Sequence, residues 1–255
     1  MHLFGDEPTT RDRPRSAVTV RPRSRPVGKK RMKKSAGAFA ALSLLTITTG
    51  LIDAATVLGF TVFAANMTGN IVFLGFSLGG SPEYALIPSV AALVGFVLGA
   101  WGAGFIVPAK LTPRPASTAL GVQAVLIGIA AVIAMLSDAP GPTWQDWVIL
   151  LILGAAMGLQ NVISLASPVA DMKTTVLTLT IAGIASELAR GTQQRWGLRL
   201  VSIVLLLGGA LGGTLIFLGL GMGWTLLAAA LITAVGGVIF RSITTGDKWA
   251  ADLTH

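Results

Sequence analysis

The sequence predicts an all-α fold, a polytopic membrane helical bundle with six full transmembrane helices, two short polar half-helices and an internal two-fold repeat. Three observations carry this. Hydrophobic residues make up 53% of the 255 residues, charged residues 12%, and the mean hydropathy is +0.75; a soluble domain carries roughly 25% charged residues. Eight apolar segments recur, at 37–59, 62–79, 85–108, 117–137, 145–165, 174–190, 198–220 and 223–241, and six of them approach or exceed the ~20 residues that cross a bilayer. Finally, the basic residues are unevenly placed, with eleven of the nineteen Lys and Arg within residues 1–34.

Residues 1–34 are rich in Arg, Pro and Ser, lack apolar periodicity and are expected to form a disordered cytoplasmic tail. Such a tail rests on anionic lipid head groups, each basic residue near the surface contributing about 1 kcal/mol. No aromatic residue interleaves its arginines, so no nucleic-acid partner is expected. A cleaved signal fits poorly, because the basic part is long and the next apolar run is of spanning length. The membrane domain is expected over 35–243, with repeat one at 37–137 and repeat two at 145–241, followed by a short cytoplasmic tail at 244–255.

The first span, 37–59, contains Gly50-Leu51-Ile52-Asp53. Asp53 is the one acidic residue deep in a span, where an aspartate costs about 2.5–3.5 kcal/mol on insertion scales. It either holds structure, by bonding to Asn66 or to a freed backbone N–H, or binds a proton or cation. The second segment opens with Ala65-Asn66-Met67-Thr68-Gly69-Asn70, polar groups where lipid or packed helices are expected. Asn66 and Asn70 stand one helical turn apart and can face one partner, Gly69 permits close backbone approach, and the Thr68 hydroxyl is free for a carbonyl or a ligand. Helix–helix hydrogen bonding, worth ~0.6–2 kcal/mol per bond in membranes, and solute binding both fit the cluster.

In the third span Gly95, Gly99 and Ala103 share one face, suited to helix packing within the chain or to a homodimer. The fifth carries Gln160 and Asn161, with the same two readings as the first cluster. The sixth segment is short and polar, with Thr178, Thr180, Ser186 and Glu187, the last poised to pair with Arg190 one turn later. In the seventh, Gly208 and Gly212 form a second small-residue row, with Gly209 and Gly213 beside it.

Charge placement favours six crossings over eight. If the second and sixth segments do not span, all nineteen Lys and Arg lie on the side of the N-terminal tail, and the opposite side holds Glu83, Asp138 and Asp146. That obeys the rule that cytoplasmic loops carry the basic excess, and it puts both termini in the cytoplasm. Trp144, Trp147 and Trp224 then mark the outer interface and Trp196 the inner one. Eight spans remain the alternative, since residues 60–79 are apolar enough to cross when packed in protein.

The halves resemble each other. Gly50-Leu51-Ile52-Asp53 recurs as Gly158-Leu159-Gln160-Asn161, Thr68 and Gly79 align with Thr180 and Gly191, and Gly95-Phe-Val-Leu-Gly99 recurs as Gly208-Gly-Ala-Leu-Gly212. With three spans per half the second enters the membrane inverted, a plan shared by many secondary transporters, whose sites lie between the repeats. The two short polar segments are then expected to meet near the midplane.

Enzyme chemistry is poorly supported. There is no cysteine, the two histidines are His2 and His255, and no phosphate-cradling loop, metal-ligand cluster or pair of catalytic carboxylates can be found, so no metal and no cofactor is expected.

The run Gly50-Leu51-Ile52-Asp53, then Phe63-Ala64-Ala65-Asn66-Met67-Thr68-Gly69-Asn70 with Leu74-Gly75, then Phe96-Val97-Leu98-Gly99, resembles the bacterial YoaK family (domain of unknown function family 1275). Gly158-Leu159-Gln160-Asn161 is similar to that family's second-half signature, and the resemblance covers about 37–241. One departure is that Thr180 is followed by Ile181 where the family keeps a Thr-Gly pair, the nearest glycine being Gly183. The resemblance implies a multi-pass protein of the bacterial cytoplasmic (inner) membrane, of unassigned activity. The functional expectation is a small secondary transporter or permease for an unknown small solute, proton-coupled through Asp53, its site lined by Asn66, Thr68, Gly69, Asn70, Gln160, Asn161 and Thr180. The alternative is a non-transporting structural or interaction protein that dimerises through Gly95 and Gly99.

Overall fold

A computed structural model describes residues 29–81, 86–109, 111–137, 143–167, 177–190 and 196–242. They form α1 (Lys29–Phe60), α2 (Met67–Leu78), α3 (Leu86–Ile106), α4 (Pro113–Leu136), α5 (Trp144–Ala166), α6 (Leu177–Ala189), α7 (Trp196–Leu220) and α8 (Met222–Ser242). Six of these, α1, α3, α4, α5, α7 and α8, are long and apolar enough to cross a membrane. The 12 residues of α2 reach only about 18 Å at 1.5 Å per residue, against a hydrocarbon core of about 30 Å.

Element ends follow local chemistry. α1 begins at Lys29, so residues 29–34 are helical rather than part of a disordered tail. Lys, Arg and Met are good helix formers, and the long span that follows has already met the cost of nucleation. Residues 1–28 and 243–255 lie outside the described residues. α4 starts at 113 rather than 117 because Pro113 is pre-set for a first helical position. Asp146 secures the start of α5 by accepting the Thr143 N–H at 2.7 Å. The expected segment at 62–79 is interrupted, because residues 61–66 are not helical and α2 begins only at Met67.

Two apolar clusters fill opposite halves of the bundle and fix the direction of each helix. One joins Ala38–Leu45 of α1 to Ala103 at the end of α3, Ala116–Leu120 at the start of α4, Leu159 and Ile163 late in α5, and Phe240 at the end of α8. The other joins Leu51–Ala55 to Ile127–Ala131 of α4, Ile149–Met157 early in α5, and Leu226–Ala230 of α8. α1 therefore runs antiparallel to α3 and α5, whereas eight crossings would make all three parallel. α7 runs parallel to α1, since Gly209 meets Ile47 and Gly213 meets Leu51. Neither α2 nor α6 carries the chain across, which removes the eight-span alternative.

The two ends differ in charge. The start of α1, Arg114, Arg199 and Arg241 lie at one end, here the basic end. Among the described residues, no Lys or Arg lies at the other, where α1 turns into α2, where α5 begins with Trp144 and where Trp224 sits in the first turn of α8. Packing is unequal: α3 lies chiefly on α5, α1 on α7, and α4 on α8.

Candidate functional site

The sharpest local structure is the turn between α1 and α2. Thr61 adopts φ 56°, the one positive value at a non-glycine residue among those described, and this sends the backbone back along the last turns of α1. A helix broken at this depth exposes backbone donors and acceptors that need partners. Asp53 Oδ1 accepts two of them, the N–H groups of Ala64 at 3.0 Å and Ala65 at 2.9 Å. Asn70 is fully buried and clasps Phe63 from the other side, accepting its N–H at 2.9 Å and donating to its carbonyl at 2.6 Å. Of the structural partners considered for Asp53, the freed backbone N–H groups are the ones it meets.

The turn is inserted, not draped. Val62 packs with Ala92 of α3 and Leu150 of α5, and Ala64 joins the cluster that holds Ile52, Leu153 and Met157. The Phe63 ring stacks on Phe73 with centroids 5.7 Å apart. Gly69 must lack a side chain, because a Cβ there would meet the Phe63 ring at 2.8 Å. Asn66 caps α2 by accepting the Gly69 N–H at 3.4 Å, and Thr68 is exposed. Three polar residues, Asp53, Asn66 and Asn70, thus build and cap one turn, and both ends of the Asn70 amide are engaged by the Phe63 backbone.

Gln160 is not part of that turn. It lies between the two apolar clusters, in a layer with Thr46, Thr48 and Thr49 of α1, Gln123 of α4 and Thr233 of α8, each at most 6% exposed. Gln160 Nε2 donates to Leu45 O at 3.2 Å and Thr49 Oγ1 at 2.7 Å, and Gln123 Nε2 donates to Gln160 Oε1. Thr46 and Thr49 return their hydroxyl protons to carbonyls one turn back, and Thr233 approaches Thr48 at 3.3 Å. The predicted lining set is therefore divided between turn and layer. Asn161 sits beside the layer on α5 with its Oδ1 buried and unbonded among the described residues. Thr180 lies on α6. The expected meeting of the two short segments does not occur, because α2 packs on α3 and α6 packs on α7.

Sequence reasoning missed Gln123, Thr48, Thr49 and Thr233. Gln123 was findable as the one glutamine inside its span; the threonines hide among apolar residues because a backbone-bonded hydroxyl is tolerated in a helix. The Glu187 side chain, and with it the ion pair expected with Arg190, lies outside what the structure describes.

The glycines separate by face. A Cβ at Gly95 or Gly99 would collide with the carbonyls of Leu151 and Ala155, so α5 of the same chain occupies the face a dimer would need. A Cβ at Gly208 or Gly212 would meet nothing within 4 Å among the described residues of other elements, and the close approach to α1 falls to Gly209 and Gly213. The expected packing row is thus shifted by one residue, which on a helix rotates it by about 100°.

These geometries can be set beside known proteins. The UPF0700 transmembrane protein YoaK of Bacillus subtilis (strain 168) is 32% identical over 155 residues, covering 58% of this chain and 66% of that protein. The chain thus spans just under two thirds of that relative's length. No solved structure matches. The family described as "Protein of unknown function (DUF1275)" matches residues 41–239. With a match over most of its length, across all six long helices, the chain belongs to the DUF1275 family of multi-pass membrane proteins.

Proposed function

We propose that this protein is a small secondary transporter or permease built from two inverted repeats, with its solute passing the polar layer between them. The carrying observation is that layer, six buried polar side chains from four helices at mid-height, where the alternative of packed hydrocarbon is cheaper. Matched packing supports the repeat. Gly50 meets Leu206 O and the N of Ala210 on α7, as Gly158 meets Phe96 O and the N of Ala100 on α3. Gly209 meets the Ile47 backbone as Gly99 meets that of Ala155. These contacts pair α1 with α5 and α3 with α7, and they replace the alignment of Gly99 with Gly212 by Gly99 with Gly209.

In this reading the 62–65 turn closes the layer from the end opposite the basic residues, and Asp53 is both its latch and the coupling carboxylate. The basic end faces the cytoplasm, in the bacterial inner membrane, with anionic head groups against it. The test is a substrate screen with purified protein in liposomes, comparing wild type with Asp53→Asn. Coupled uptake that is lost in a folded Asp53→Asn supports the reading; no uptake of any solute by wild type removes it.

A second reading is a non-transporting interaction protein that dimerises through α7. The open Gly208 and Gly212, beside exposed Val204, Leu207 and Leu211, favour it.

A further inference from the structure

One side-chain oxygen of the polar layer receives no hydrogen bond among the described residues. Gln160 cannot flip its amide, because Leu45 O is an acceptor and requires the NH2 group. Its Oε1 is then turned toward Gln123, which must donate through Nε2. This leaves Gln123 Oε1, on a residue with 0% exposure, as a buried carbonyl oxygen that receives no hydrogen bond among the described residues. The neighbouring hydroxyls of Thr46 and Thr49 have already given their protons to Leu42 O and Leu45 O. The Gln123 amide thus has an empty acceptor, Oε1, beside a second Nε2 hydrogen that no bond uses among the described residues.

We infer that Gln123 Oε1 is the seat of a small, uncharged hydrogen-bond donor, a molecule carrying N–H or O–H, held at mid-height between α1, α4, α5 and α8. A solute with acceptors alone leaves that oxygen unfilled, and an anion at this depth finds no counter-charge among the amides and hydroxyls of the layer. Calcium or magnesium takes six or more oxygens and any bare charge at this depth needs a counter-charge, yet the layer is made of amides and hydroxyls. The nearest carboxylate, Asp53, is committed through Oδ1 to Ala64 and Ala65. This inference rests on the transport reading for passage of the solute but not for its binding.

The experiment has two arms on the full-length protein in liposomes. In the first, protein labelled with 13C at the glutamine side-chain carbonyl is studied by solid-state NMR, with the Gln123 resonance assigned by its loss in Gln123→Leu. Formamide, urea and glycerol are titrated as neutral donors, and sodium acetate and ammonium chloride as charged controls. The Gln123 signal is expected to shift with at least one neutral probe and with neither salt. A signal moved by none of the five, or by the salts alone, overturns the inference. In the second arm, stopped-flow light scattering follows entry of the same probes. Entry of the probe that shifts Gln123 is expected to fall about tenfold in Gln123→Leu, the weight of one lost hydrogen bond, while Gln123→Asn and Gln123→Leu both keep the wild-type melting profile within a few degrees. A Gln123 shift without any entry keeps the binding inference and overturns the transport reading. Entry that Gln123→Leu leaves unchanged, with no Gln123 shift, overturns the inference and leaves the transport reading standing.

Discussion

Asn70 closes a ring with the backbone of Phe63, seven residues earlier, accepting its N–H at 2.9 Å and returning a proton to its carbonyl at 2.6 Å. An amide is the one common side chain that offers an acceptor and a donor side by side in one plane. It can satisfy both backbone groups of a single residue where water is excluded. The polar run that stands out in the sequence is therefore explained first by local architecture.

Asn70→Leu should destabilise the protein by about 2–3 kcal/mol, because it leaves the N–H and carbonyl of Phe63 without partners in an apolar setting. Thr68→Val, at an exposed position in the same motif, should change stability by less than about 0.5 kcal/mol. Thermal unfolding in lipid nanodiscs compares the two; equal effects would mean the clasp does not hold the turn.

Asp53 gives a graded series. Asp53→Asn keeps an oxygen for the N–H groups of Ala64 and Ala65, so stability should drop by no more than about 1 kcal/mol. Asp53→Ala orphans both donors and should cost about 2–3 kcal/mol. A single cysteine at Ala65 provides the readout: it should label slowly in wild type and Asp53→Asn, and quickly in Asp53→Ala as the turn lifts away.

The glycines predict a contrast between adjacent positions. Gly209→Leu places a side chain into the Ile47 backbone, and Gly158→Leu into Phe96 O. Each should lower folded yield, the overpacking costing at least about 1–3 kcal/mol. Gly208→Leu and Gly212→Leu point into open space and should express as well as wild type when the protein is monomeric. Size-exclusion profiles of all four separate packing within the chain from packing between chains: a shift to smaller mass in Gly208→Leu and Gly212→Leu, with folded protein retained, would support the dimeric reading.

The antiparallel relation of α1 and α3 predicts the outcome of cysteine mapping, which is clean because the native chain has no cysteine. Single cysteines at Ser81 and Ser137 should react with an impermeant maleimide from one side of the membrane, and one at Ala109 from the other. Ser81 and Ala109 labelling from the same side would be incompatible with six crossings.

Several of these features are legible without a structure, and the reason is the solvent. In hydrocarbon, every backbone group must be satisfied within its own helix, so long apolar runs declare the six spans directly, and the asymmetry of Lys and Arg sorts their ends. The polar run Asn66–Asn70 stands out in the sequence for the same reason, since polar side chains at that depth demand an explanation, but the turn at 61–66 that it serves is visible only in the structure. The matches of Gly50 with Gly158 and of the small-residue rows are the basis of the proposed repeat, although the row in α7 is displaced because Gly208, Gly209, Gly212 and Gly213 offer two faces and composition does not choose between them.

What the sequence by itself determined is which segments are helical, which cross, where the charge lies and which polar groups stand out of place. Only the tertiary structure decided what those polar groups meet. Asp53 and Asn70 are spent on the backbone of a reversed turn, and that turn exists because Thr61 redirects the chain. Gln160 belongs with Gln123 and Thr49, on helices far apart in sequence, and no periodicity within one span reports which face of another it will touch. Partner choice depends on three-dimensional packing, here on close approaches at Gly50, Gly99, Gly158 and Gly209, and those contacts set which amides share the centre of the bundle.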